Sequence, residues 1–282
     1  MRSRPTCLVL LLGVLVAALA PRDAGAAEPG RPELELVAAP TIAGDQRYGE
    51  TVEVVDARWD PAPRTVRYQW LRAGEPIAGA TKRRYTIAPG DVGSRLRVQV
   101  TAYERGYEPT TATSDGGDPV RHAVPVRRTV TYSVETRGRI TADLDQFRRV
   151  AQATYDDARG WRGGGVRFVP VRRGGSFTLV LAEARTVPTF SSQCSAEYSC
   201  RVGRFVIINQ TRWLRATRVW RGAGQTRADY RHLVVNHETG HWLGRGHVGC
   251  PGRGQLAPVM MQQSKGLNGC RANPWPTAME LR

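Results

Sequence analysis

Three of the chain's five histidines fall in one short run, His237-Glu238-Thr-Gly-His241-Trp-Leu-Gly244-Arg-Gly-His247. Residues four apart on an α-helix project from the same face, so His237 and His241 can share a metal ion if this segment is helical. Gly244 tolerates the left-handed backbone that ends a helix and turns the chain. The turn lets His247 return as a third ligand. Neutral imidazoles are zinc ligands, and catalytic zinc sites keep one position for water. Glu238 lies beside the metal without needing to bind it. It can take a proton from the activated water and later pass it to a leaving amine. The expected cofactor is therefore Zn2+, held by His237, His241 and His247, with Glu238 as general base.

The rest of the chain divides by pattern. Between residues 33 and 114, short alternating segments such as Thr51–Val55, Val66–Leu71, Tyr85–Ile87 and Leu96–Ala102 are separated by Pro- and Gly-containing turns. This spacing predicts an antiparallel β-sandwich. Residues 115–128, rich in Gly, Asp and Pro, read as a linker in which His122 is exposed. From 129 the pattern changes to a mixed α+β unit. Strands are expected at 129–135, 166–171, 177–181 and 204–209. One helix is expected over 142–159, where Asp143 and Gln146 are placed to cap its start, and another over 230–243. His232 precedes His237 by five positions, off its face, and is expected at the surface.

Two resemblances extend this reading. The string Tyr68-Gln-Trp70-Leu-Arg-Ala-Gly74, followed by Ile77-Ala-Gly-Ala-Thr81 and Asp91-Val-Gly93, resembles the bacterial Ig-like repeats of secreted surface proteins. Trp70 would be its core tryptophan, and such modules serve as spacers or adhesion units. The histidine run resembles the metzincin signature. That resemblance implies a methionine on a turn beneath the zinc. Pro258-Val259-Met260-Met261 supplies it, with Met260 favoured over Met261. Many metzincins carry a tyrosine two residues later, but this chain has Gln262 there. Gln262, Gln263 or an arginine remain as groups that could polarise a carbonyl.

Further segments point the same way: Ser199-Cys200-Arg-Val-Gly203, Asn209-Gln-Thr-Arg212-Trp213, Tyr230-Arg231, Lys265-Gly266, Gly269-Cys270 and Asn273-Pro-Trp-Pro276. With the methionine segment they are similar to a family of secreted actinobacterial zincin-like proteins of unassigned function. The resemblance covers residues 129–282. The expected architecture is thus multidomain, an N-terminal all-β Ig-like sandwich followed by an α+β metzincin-like domain with an active-site helix.

Residues 1–27 read as a secretory signal peptide: Arg2 and Arg4, an apolar run from Leu8 to Ala20, then Ala24-Gly25-Ala26. The run is short for a membrane span, and no other long apolar run follows. Four cysteines remain after cleavage, Cys194, Cys200, Cys250 and Cys270. An even number in an exported chain implies disulfides, and of three possible pairings the most local is 194–200 with 250–270. The formal charge is +16, and all but Lys82 and Lys265 of the 41 basic residues are arginine. They are dispersed, without the motif or aromatic interleaving of a nucleic-acid binder. Association with anionic cell-wall polymers is the partner this charge suggests. The Asn209-Gln-Thr211 sequon is too short a motif to carry weight. The expectation is a monomeric, secreted or envelope-associated zinc metalloendopeptidase acting on proteins or peptides. Its rivals are a catalytically silent zinc-containing adhesion protein and a peptidase of peptidoglycan cross-links.

Overall fold

The computed structural model describes residues 30–282, so the expected signal peptide lies outside the described residues. The described chain is β-rich with a few helices and builds separate hydrophobic cores in its N-terminal and C-terminal parts.

The N-terminal part contains β1 (Glu35–Ala38), β2 (Thr41–Ala43), β3 (Thr51–Val55), β4 (Arg58–Asp60), β5 (Thr65–Arg72), β6 (Glu75–Pro76), β7 (Arg84–Thr86), β8 (Leu96–Tyr103) and β9 (Thr110–Thr113). Their pairings are antiparallel, in the orders β2-β3-β7, β6-β5-β8-β9 and β1-β4. Alternation drives this assembly. In β8, Leu96, Val98, Val100 and Ala102 are buried while the residues between them are less so. Trp70 is fully buried, stacks on Tyr85 at 5.4 Å and donates its indole N–H to the Lys82 carbonyl at 2.9 Å.

The C-terminal part contains β10 (Arg128–Arg137), α1 (Leu144–Asp156), β11 (Val166–Pro170), β12 (Phe177–Ala182), β13 (Cys200–Val202), β14 (Phe205–Asn209), α2 (Gln210–Arg215), α3 (Arg218–Gly222) and α4 (Arg227–Trp242). The sheet order is β11-β10-β12-β14-β13, parallel except for β13, which runs antiparallel to β14 at the edge. Every residue of β12 is buried, as a strand covered on both faces requires. On one face Phe177, Leu179 and Leu181 join a core with Phe147, Tyr155, Trp213, Leu233 and Val235 of the helices. On the other, Val180 and Ala182 pack with Val187, Cys194 and Ile207.

The structure corrects several expectations. Helix α1 is shorter than 142–159, because the Asp143 carboxylate accepts from the Gln146 N–H at 2.9 Å and so stands at the helix start rather than within it. Helix α4 begins one turn before Tyr230, at a Thr226 cap that accepts from the Asp229 N–H at 3.0 Å. The stretch 115–128 is no free linker. Val120 is buried in the N-terminal core and exchanges backbone bonds with Ser94 and Gly93, while Arg127 and Arg128 donate to the Gly165 carbonyl. His122 is accordingly half-buried, and burial lowers its pKa. His232 is half-buried too, bonded to Thr154 Oγ1 at 2.8 Å and packed against Trp275. Asn209 is fully buried with its amide spent on the Ala196 carbonyl and the Thr211 N–H, a poor place for a glycan.

Candidate metal centre

Helix α4 places His237 and His241 one turn apart, with ring centroids 4.8 Å from each other. The helix ends at Trp242, one residue before the expected end at Leu243. Gly244 has φ of 89°, and the Leu243, Gly244 and Arg245 N–H groups bond back to the Thr239, His241 and Gly240 carbonyls. The returning chain brings His247 within 4.5 Å of the His241 ring and 5.3 Å of the His237 ring. One ligating atom from each of the three histidines lies within 4.8 Å of the others.

The outer nitrogens are spoken for. His237 Nδ1 meets the Val259 carbonyl and His241 Nδ1 the Arg245 carbonyl, each at 2.8 Å. A carbonyl only accepts, so both rings carry their proton on Nδ1 and turn an Nε2 lone pair inward. Nε2 of His241 and Nε2 of His247 stand 3.0 Å apart. Two nitrogens on one tetrahedral zinc are about 3.4 Å apart at ordinary Zn–N distances. The donor set and its spacing therefore fit zinc. Burial lowers the pKa of all three histidines, that of His237 to about 3, which favours the neutral form that a metal would need.

Glu238 is 7% exposed and lines the same cavity. Burial pushes its carboxyl up to about 8, against the opposing pull of Arg201. A dication beside it would favour the ionised form. The cavity is about 430 Å³. One wall is β13 and the loop before it, with Tyr198, Ser199 and Arg201; the other is the segment Met261–Lys265. Leu233 and Val234, one helical turn before His237 and Glu238, give it an apolar base.

Met260 is buried at 1% exposure. A Cβ on Gly240 would lie 2.7 Å from Trp161 and closer still to the Met260 sulfur. The methionine is therefore pressed on the helix between His237 and His241, where only glycine fits. Met261 instead packs with Ala257 and the second disulfide. Gln263 is excluded from chemistry: its amide is buried and bonded to the Pro258 and Asn273 carbonyls and to the Asn273 N–H. Gln262 and Arg201 remain at the cavity wall.

Both disulfides form in the local pairing. Cys194–Cys200 closes the loop carrying Tyr198 and Ser199, and Cys250–Cys270 spans the methionine turn. Sequence reasoning missed Glu280. Its carboxylate accepts from the Val259 N–H at 3.0 Å, the Met260 N–H at 2.8 Å, and the Thr277 N–H and hydroxyl at 2.7 and 2.9 Å. It thereby fixes the peptide whose carbonyl orients His237. Nothing in its local sequence signals that contact.

A family model described as protein of unknown function (DUF3152) matches residues 116–274. The match starts inside the connecting stretch and contains all three histidines. No curated protein matches the chain significantly. Among solved structures, the tandem Ig repeats of Dlar are similar at 18% identity and a TM-score of 0.17, over 36% of this chain and 60% of that one. The chain thus spans less than two thirds of that structure, and a likeness so slight does not place the fold.

Proposed function

The chain belongs to the DUF3152 family, and on the geometry of its histidine cluster we propose that it is a secreted zinc-dependent endopeptidase. In this reading the N-terminal antiparallel part is an Ig-like module and the C-terminal part a metzincin-like domain. The supporting observation is the pairing of three inward-facing imidazoles with a buried carboxylate at the floor of one cavity. A zinc ion held by His237, His241 and His247 supplies Lewis acidity and lowers the pKa of water. Glu238 takes the proton of the attacking water and returns it to the leaving amine. Strand β13 contributes a sheet edge to the cavity wall, and an extended peptide can add to such an edge by main-chain hydrogen bonds. The two disulfides support an exported protein. The net positive charge that remains without residues 1–27 favours an anionic envelope as its surroundings. Retention on envelope preparations that ignores salt would contradict that last point.

The test is Glu238→Ala in the full chain, with casein and cell-wall sacculi as substrates. The variant is expected to keep zinc and lose hydrolysis by at least about a hundredfold, the usual contribution of a general base. Activity equal to wild type on a protease-free background would refute the mechanism. Cleavage confined to sacculi would narrow the substrate to peptidoglycan cross-links.

A further inference from the structure

The cavity over the histidine cluster is asymmetric in charge. Apart from the histidines, its lining cations are Arg201 and Lys265, and its lining carboxylate is Glu238. Glu238 is buried, whereas Arg201 and Lys265 are exposed. Neither cation makes an ion pair among the described residues. The acid nearest in sequence to this wall, Glu197, faces Arg212 at 3.9 Å and does not line the cavity.

The two cations stand on opposite walls. Arg201 lies on β13 and spends one N–H on the His241 carbonyl at 2.8 Å, which anchors its guanidinium and leaves other donors free. Lys265 follows the methionine turn, its ammonium 5.4 Å from the Tyr198 ring centroid. Both positive side chains line the same cavity as the histidines, and their fields act within it. Low-dielectric walls focus such fields, so an entering carboxylate is attracted and an entering ammonium repelled.

We propose that the cleft selects peptides with an Asp or Glu side chain beside the scissile bond, with Arg201 and Lys265 as the residues that set this specificity. The proposal rests on the peptidase reading for catalysis, but not for binding. A free C-terminal carboxylate offers the same chemistry, so the probes are C-terminally amidated.

The experiment compares internally quenched, amidated peptides that differ only in Glu, Gln or Lys at the central position. Cleavage is followed with the zinc-loaded full chain, and binding with Glu238→Ala by fluorescence anisotropy. The Glu peptide is expected to be preferred over the Lys peptide by about tenfold in both readouts, equivalent to about 1.4 kcal/mol. Arg201→Glu with Lys265→Glu should reverse the order, and the milder Arg201→Gln with Lys265→Gln should level it. Circular dichroism checks that each variant is folded. Discrimination in binding without cleavage supports the proposal while refuting the peptidase reading. Equal or absent binding of the three amidated peptides overturns it.

Discussion

At the residue scale, the histidine cluster is legible because the three histidines, Glu238 and the helix-ending glycine lie in one short run. Their geometry follows from helical spacing and one left-handed residue. Gly240 lies inside the same run, yet its role was not legible, since the Met260 sulfur that excludes a side chain there arrives from later in the chain. Gly240→Ala should cost about 1–3 kcal/mol, the range for overpacking a core. Chemical denaturation measures this, and combining it with Met260→Ala should recover part of the loss, because the two residues touch. Full additivity of the two changes would argue against the contact.

At the element scale, the long strands and helices are legible. Thr51–Val55 coincides with β3, and β5, β8, β10 and β12 exceed their expected bounds by one to three residues in all. Strands such as β4 and β6 are too short for alternation to show. The segment from Val248 to Arg282 is the least legible, for it has no regular element and is held by tertiary contacts. Glu280 clamps its methionine turn and Cys250–Cys270 braces it. Glu280→Ala should weaken zinc affinity by about 10–100-fold, the usual effect of losing a group that orients a ligand. Competition with a chromophoric chelator reads this directly, and Glu280→Gln should retain part of the affinity. Unchanged affinity in Glu280→Ala would show that the turn holds without its clamp.

At the scale of the whole molecule, all five histidines have pKa values lowered by burial. The unfolded chain therefore binds more protons below about 6.5, the ordinary histidine value, and stability falls as pH drops below it. Glu238 opposes this, because its raised pKa lets the folded state take up a proton between about 8 and 4.5. Glu238→Ala removes that opposition and leaves the lowered histidines to set the trend between pH 7 and 5. Thermal melts of that variant in a chelator should show Tm falling over that interval, and a flat or rising Tm would contradict the burial of the histidines. The positive charge, the most conspicuous compositional feature, says little about the fold. Two of its residues, Arg201 and Lys265, are brought to one cavity by β13 and the segment after the methionine turn.

The central claim is that the three histidines hold zinc. The direct measurement is metal content by mass spectrometry on the purified full chain, beside His241→Ala. The account predicts one zinc per chain in the wild type and its loss in the variant. Equal zinc in both, or none in the wild type after reconstitution, would contradict it.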